Sequence, residues 1–564
     1  MTSLRRSSTW RAARRSAPWC STPGPEGAVR SEPSDEAFDS AATYPAQFRG
    51  IVGAAATALG RRTLTRMDTM DLARTSADGE DTDGVRPDPQ GSPPSGSGTI
   101  PGVSTDRRRW SWRKAAGTAV AALPLLALTA CGVDGNAASA STAPAAASSA
   151  PPAATAAAAA ASKGAQAAQY AWVQLIDGGR VSVRAVSSGA SCPTITVNGS
   201  ASAMPVRAAA GGADFPVAVC EQVLTAPATS IDVAGIKLPI PLAKGAPLDR
   251  LAILGDSGCR LEPPKPMQDC NNSNGWPAHE VSAEVATRNP ALIIHTGDYY
   301  YRMVQCPAAD QAKCGGSPHG PTWDTLEADF FEPYKSSLGV APWIFLRGNH
   351  ETCQMAGDAF LRLFAAGPYT PGACSNFLPP YAVDAGDQRF VVFDDSDAAD
   401  DKVDAAQVSS YTPLMQSALA LAAAGPQPTS FLLLHRPIWL EEPAGKSTET
   451  INLTMQEVAN KVGDTLPGVE MVVSGHIHGL GYFSFAHRPT QVISGGGGAE
   501  KLSKDADFAG TSIAGAQVAQ GLLKSDYGYT MVKKQQQGWS VDFETVGGGA
   551  TLKCTEVNRF LKCL

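Results

Sequence analysis

The sequence predicts a layered α/β body, a β-sheet core flanked by helices, preceded by a small all-β, sandwich-like module. Three observations carry that reading. Residues 166–245 alternate apolar and polar positions between turn signals, the period of half-buried strands. From residue 249 the rhythm changes to short continuous apolar runs, such as Leu251-Ala252-Ile253-Leu254, separated by amphipathic stretches. Strands buried on both faces and alternating with helices make an α/β domain. The polar residues of chemical interest all follow those apolar runs, where a rigid sheet holds loop side chains in place.

In chain order, residues 1–104 are rich in Arg, Ser, Pro, Gly and Asp without a sustained period, and are expected to be disordered. Residues 105–131 read as a lipoprotein-type signal peptide. A basic block (Arg107, Arg108, Arg109, Arg113, Lys114) precedes an apolar stretch from Ala115 to Ala130, and Leu128-Thr129-Ala130-Cys131-Gly132 resembles the site at which a bacterial lipoprotein is cleaved and lipidated on cysteine. Such a signal belongs at the start of a chain, so residues 1–102 read as a mis-assigned upstream extension and Val103 as the start. Residues 132–165, dominated by Ala, Ser and Pro, bury too little to offset their ordering entropy and read as a linker. The expected location is therefore extracytoplasmic (periplasm or cell surface), with a lipid anchor at Cys131 on a bacterial membrane.

Composition narrows the classes. Of 564 residues, 43% are hydrophobic, enough for a sizeable core. Residues 131–564 carry 29 Lys and Arg against 40 Asp and Glu, a poor match for nucleic-acid phosphates. No apolar run reaches the roughly 18–20 residues of a spanning helix, which excludes a multi-pass membrane protein. Beyond Cys20 and Cys131 there are ten cysteines in near-neighbour spacing. The simplest pairing is local: Cys192–Cys220, Cys259–Cys270, Cys306–Cys314, Cys353–Cys374 and Cys554–Cys563. That usage agrees with export.

Within the folded body, Trp172–Ile176, Asp177-Gly178-Gly179 and Arg180–Arg184 form a hairpin pattern, and Thr194–Val197 ends at the turn signal Asn198-Gly199. The α/β domain is expected over 246–545, with strands at 251–254, 291–294, 343–346, 389–393, 430–434, 470–473 and 491–494. Helices are expected at 277–289, 404–424 and 453–463, and residues 323–338 form an amphipathic stretch. Residues 546–564 are expected to be a tail stapled by Cys554–Cys563.

Five motifs follow the apolar strands: Gly255-Asp256-Ser257-Gly258, Gly297-Asp298-Tyr299-Tyr300-Tyr301, Gly348-Asn349-His350-Glu351, Leu433-Leu434-His435 and Gly475-His476-Ile477-His478. Together they supply two carboxylates, a phenol, an amide oxygen and three imidazoles, a donor set suited to two metal ions sharing one carboxylate. With no thiolate among them, Fe, Mn or Zn is favoured.

The order of these motifs closely resembles the purple acid phosphatases, within the calcineurin-like metallophosphoesterases, over roughly residues 249–500. Most of that superfamily has a histidine two residues after the first aspartate. Gly258 stands there in this chain, and Tyr301 of the second motif replaces the histidine, as in purple acid phosphatases. The resemblance implies one metal held by Asp256, Asp298, Tyr301 and His478, and a second held by Asp298, Asn349, His435 and His476. Tyr301 implies Fe(III) at the first site; the second takes Fe(II), Zn or Mn. The implied reaction is attack of metal-bound hydroxide on the phosphorus of a small phosphomonoester, with His350 protonating the leaving oxygen and Glu351 orienting His350. Relatives place further histidines after the His435 motif to bind phosphate. Here Arg436-Pro437-Ile438-Trp439-Leu440-Glu441 follows, and Arg436 and Glu441 are the candidates for those tasks. The expected function is an extracytoplasmic acid phosphatase; alternatives are a phosphodiesterase using the same site, or a non-catalytic surface binding protein.

Other groups read as structural. His295 is expected to make a structural hydrogen bond, and His279, His319 and His487 lack motif context. Asp394, Asp395 and Asp397 read as an acidic surface loop, since the glycine and glutamate of a calcium loop are missing. Gly445-Lys446-Ser447 lacks the first glycine of a phosphate loop. Gly495–Gly498 is expected to form a close-packed turn near the metals.

Overall fold

Three short parallel strands, Arg250–Leu254, Ile293–His295 and Trp343–Phe345, stand at the centre of an eleven-stranded sheet. The computed structural model describes residues 167–444 and 447–564. The expectations for 1–104, for the signal peptide with Cys131, for the linker at 132–165, and for Gly445 and Lys446 lie outside the described residues. Among the described residues, no helix is long and apolar enough to cross a membrane.

The central strands are mostly Leu, Ile, Ala, Phe and Trp because both faces are covered. Towards the second sheet, Leu251, Ile253, Ile294 and Ile344 pack against Phe431, Leu433, Met471 and Val473. The latter four belong to parallel strands, Ser430–Leu433 and Val469–Ser474, flanked by Gln388–Val392 and Thr490–Ser494. On the outer face of the first sheet, Ala278, Val281 and Val285 of the helix Ala278–Thr287 pack with Ala252, Leu254 and Ile293. The helices Ala405–Ala423 and Leu453–Val462 cover the outer face of the second sheet. The layers run helix, sheet, sheet, helix. Burying each of the Val, Leu, Ile, Met and Phe side chains among these is worth about 1.5–3 kcal/mol.

Residues 168–238 are strands, and the Asn198-Gly199 turn is present with φ of 51° and 81°. Their arrangement differs from a free-standing module. Ala168–Ile176 pairs in parallel with Trp343–Phe345, at Gln174 opposite Trp343, so the first hairpin extends the large sheet. A separate four-stranded sheet (Thr194–Val197, Ser200–Ala203, Ile231–Val233, Ile236–Leu238) packs on that hairpin through Ile195, Ile231 and Val233 against Val173, Val183 and Ala185. The sandwich is thus built partly on the large sheet. At the other edge, Gly528–Lys534 pairs antiparallel with Arg250–Leu254, and Trp539–Thr545, Gly549–Val557 and Phe560–Cys563 follow outward. The expected tail is the edge of the same sheet.

All five expected disulfides form. Two of them staple motif loops: Cys259 lies three residues after Asp256, and Cys353 two after Glu351. The amphipathic stretch 323–338 is three short pieces, Trp323–Leu326, a wide π turn at Glu327–Phe331, and Lys335–Leu338. The extra residue in that turn goes with the complete burial of Asp329, Phe330 and Phe331.

Candidate metal centre

Each motif begins where a buried strand ends. Asp256 follows Arg250–Leu254, Asp298 follows Ile293–His295, and Asn349 follows Trp343–Phe345, all from the first sheet. His435 follows Ser430–Leu433 and His476 follows Val469–Ser474, from the second. The two sheets present these ends side by side, so residues up to 222 positions apart in sequence meet. Asp256, Asp298 and His476 have φ of 58°, 58° and 69°. Left-handed backbone costs a residue with a Cβ about 1–2 kcal/mol and clusters at functional sites.

The side chains converge in two overlapping groups. The Tyr301 hydroxyl lies 3.1 Å from Asp256 Oδ1, 2.8 Å from Asp298 Oδ2 and 2.8 Å from His478 Nε2. Asn349 Oδ1 lies 2.9 Å from His435 Nε2 and 2.8 Å from His476 Nδ1. Asp298 joins the groups, with Oδ2 3.3 Å from His435 Nε2. Ligand atoms of Asp298, His435 and His476 all lie within 4.8 Å of one another. All seven sequence-predicted donors are therefore in one place.

Each imidazole is oriented by the nitrogen facing away. His435 Nδ1 is 2.8 Å from the Thr296 carbonyl, and His478 Nδ1 is 2.8 Å from the Glu500 carbonyl. Both rings donate there and turn Nε2 to the cluster. His476 is reversed: Nδ1 faces the cluster and Nε2 lies 3.4 Å from the Asp400 carboxylate.

Three buried carboxylates hold the loops. Glu351 accepts from the backbone N–H of Gly348, Asp298, Tyr299 and Tyr300 at 2.8–3.2 Å. Asp329 accepts from Cys259, Tyr301 and Arg302 N–H. Asp395 accepts from His435 and Arg436 N–H at 2.9 and 3.1 Å. The task expected of Glu351, orienting the His350 ring, is replaced by this clasp on the loop of Asp298. Asp395 is fully buried and Asp394 nearly so, with Arg347 3.2 Å from Asp394, so the expected acidic surface loop is an interior one.

The electrostatics call for cations. Asp256 and Asp298 are at most 1% exposed, and among the described residues no Lys or Arg pairs with either. Burial pushes Asp256 well above the usual carboxylate range. Burial also opposes the Asp298 charge, but His435, His350 and hydrogen bonds hold this carboxyl well down. Burial, then Asp298 and Asp256, push the Tyr301 phenol well up. Burial brings His476 down to about 4 and His478 well below its ordinary value. Divalent or trivalent ions reverse this balance, by stabilising carboxylate and phenolate and by coordinating neutral imidazole. The donor set fits metal ions.

His350 lies over this cluster. Its ring centroid is 4.1 Å from that of Tyr301, its Nε2 is 3.9 Å from Asp298 Oδ2, and its buried Nδ1 has no hydrogen-bond partner among the described residues. Arg436 is already engaged, by the Asp400 carboxylate and the Ser396 carbonyl. Glu441 is 9% exposed, and its neighbour Glu442 lines the cavity above the cluster in its place. His295 is structural, as expected: it is fully buried, accepts from Gly297 N–H and stacks on Tyr299. Gly495–Gly498 is the expected tight turn, since a Cβ on Gly495 would lie 2.8 Å from Asp256 Oδ2.

Residues 250–480 match the family model for calcineurin-like phosphoesterases. They form a calcineurin-like phosphoesterase domain. Those residues thus make a metal-dependent phosphoric ester hydrolase domain. No curated protein matches the chain. Among solved structures it is similar to the purple acid phosphatase PPD1 from yellow lupin (Lupinus luteus) seeds: 14% identity, TM-score 0.46, covering 68% of this chain and 73% of that one. It is similar also to PhoD, at 11% identity and TM-score 0.44, over 70% and 91% of the two chains. A dimetal phosphatase from Danio rerio is 10% identical, with TM-score 0.32 and coverage of 55% and 99%.

Sequence reasoning passed over Asp400 and Arg260 in the phosphoesterase site. Asp400 belongs to an acidic run, but that run directly follows the apolar strand Gln388–Val392, the position that marks every other site motif. Arg260 lies four residues past Asp256 on the same disulfide-stapled loop.

Proposed function

We propose that the chain is an extracytoplasmic acid phosphatase that hydrolyses phosphomonoesters at a dinuclear metal site. The observation that carries this reading is the Tyr301 hydroxyl within 3.1 Å of Asp256, Asp298 and His478 at once. Asp256, Asp298, Tyr301 and His478 would hold one ion, and Asp298, Asn349, His435 and His476 the other. The phenol favours Fe(III) at the first; Fe(II), Zn or Mn would fill the second. When bound, the ions activate water and neutralise phosphate charge. Asp298 supplies the shared carboxylate, and His350 stands at the cavity to hydrogen-bond and protonate the leaving oxygen. The five disulfides support an oxidising compartment. Attachment through a lipid on Cys131 completes the proposal.

The test is metal analysis of the purified protein coupled to phosphate release from 4-nitrophenyl phosphate and its diester. Two metals per chain, with the monoester cleaved faster, support the reading; a faster diester would replace acid phosphatase by phosphodiesterase. Mass spectrometry of the N-terminal peptide from cells checks the lipid on Cys131.

A further inference from the structure

The cavity above the donor cluster, roughly 420 Å³, has Tyr301, His350 and His478 in its lining and Arg260 and Lys501 beside them. A second cavity, of roughly 620 Å³, shares Arg260, Glu500, Lys501 and Leu502 with the first and extends to Lys313 and Tyr527. A molecule whose phosphoryl group sits over the cluster has room to pass its remainder across this common wall.

Arg260 is 8% exposed. Its Nη2 pairs with the Glu500 carboxylate, and its buried Nε has no hydrogen-bond partner among the described residues. The residue is fixed from behind: its backbone N–H donates to Gln268 Oε1 at 2.8 Å, and Cys259 beside it is tied to Cys270. Glu500 is tied to the site as well, since its carbonyl holds His478. A buried guanidinium has five donors in a fork that suits phosphate or carboxylate, and one carboxylate leaves part of that fork unused. Among the described residues, no hydrogen bond or ion pair joins Arg260 to any of the seven donors. Lys501 adds an exposed charge, with its Nζ 5.5 Å from the Tyr527 ring centroid. The other nearby arginine, Arg436, is occupied by Asp400.

We propose that Arg260 and Lys501 bind a second anionic group on the leaving portion of the substrate, so that the preferred substrates are phosphoesters or phosphoanhydrides whose leaving group is itself charged. This rests on the phosphohydrolase reading. In the hydrolysis, the oxygen of water bonds to the terminal phosphorus, the bond from that phosphorus to the leaving oxygen breaks, and water supplies the proton that the leaving group takes up.

The test uses the metal-loaded protein, with ADP as the charged-leaving-group probe and phenyl phosphate as the neutral one. Arg260→Met and Lys501→Met are expected to lower kcat/KM for ADP at least about tenfold more than for phenyl phosphate, chiefly through KM, with Arg260→Lys partly restoring it. Lys501 is exposed, so its substitution keeps the test open if Arg260→Met fails to fold. Equal losses on both probes, or phenyl phosphate cleaved and ADP not, would overturn this inference alone. If the wild type releases phosphate from neither, the phosphohydrolase reading falls, and this inference with it.

Discussion

A Cβ placed on Gly258 would stand 2.9 Å from Cδ2 of Tyr301 and 2.8 Å from Asp329 Oδ2. Glycine at 258 and tyrosine at 301 are therefore one choice: the ring fills the room that a side chain at 258 would need. Gly258→Ala is expected to destabilise the fold by about 1–3 kcal/mol, since the contacts are a buried ring and a buried carboxylate that cannot yield. Denaturant unfolding checks this, and a variant as stable as the wild type would break the link between the two positions.

Tyr301 should give the protein a visible absorption band if Fe(III) fills its site, through phenolate-to-iron charge transfer. Tyr301→Phe is expected to abolish that band. An iron-loaded wild type without colour, or a band that survives the substitution, would remove Tyr301 from the ligand set.

Asp400 faces His476 Nε2 at 3.4 Å, while Nδ1 faces the cluster. Removing an outer carboxylate of this kind commonly lowers metal affinity about 10–100-fold. Asp400→Asn is expected to weaken retention of one of two metals, measured as metal per chain after dialysis against graded chelator. Loss of both metals in parallel, or of neither, would contradict the role.

Glu351 satisfies four backbone amides that carry Asp298 into place. Glu351→Ala leaves those donors buried without an acceptor, at a cost of about 1–3 kcal/mol for each one unsatisfied. The expected result is a protein that unfolds at markedly lower denaturant and binds metal poorly. Normal stability in that variant would mean that the loop does not depend on the clasp.

Glu221 provides a pH prediction away from the metals. Burial raises its pKa, but Arg184 at 2.9 Å and Arg207 at 2.8 Å, with a hydrogen bond from Ser182, outweigh burial and pull it down to about 2. Arg184 is itself lowered, by burial and by Arg207, only to about 9, and stays charged throughout the acid range. A depressed carboxylate pKa stabilises the fold above the unfolded value near 4.5, and that stability is lost as pH falls towards 2. The shift corresponds to about 3 kcal/mol. Glu221→Gln is expected to cost most of this at pH 7 and little at pH 2, read from unfolding curves at both. A cost independent of pH would refute the assignment.

Much of the fold was legible because burial on both faces writes itself as continuous apolar runs. Leu251–Leu254, Trp343–Phe345 and Phe431–Leu433 could be read as strands from four or fewer residues each. The break at Glu327–Phe331 could not, because the amphipathic period over 323–338 persists through it while Asp329 turns inward to meet amides 28 and 70 positions away. Asp395 was misread, and Asp400 passed over, for a related reason. An aspartate looks the same in sequence whether water or buried N–H groups surround it.

By itself, the sequence marked the two sheets' central strands, made local disulfides the simplest pairing and offered the seven candidate donors in its motifs, since each depends on residue type within a short window. Only the tertiary structure decided that the donors meet, that the 168–187 hairpin continues the large sheet, and that Arg260 lines the cavity with its Nε unpartnered while Arg436 is taken up by Asp400. Those outcomes depend on which strand ends are brought side by side and on which charges find partners there, and neither is a property of any local stretch of chain.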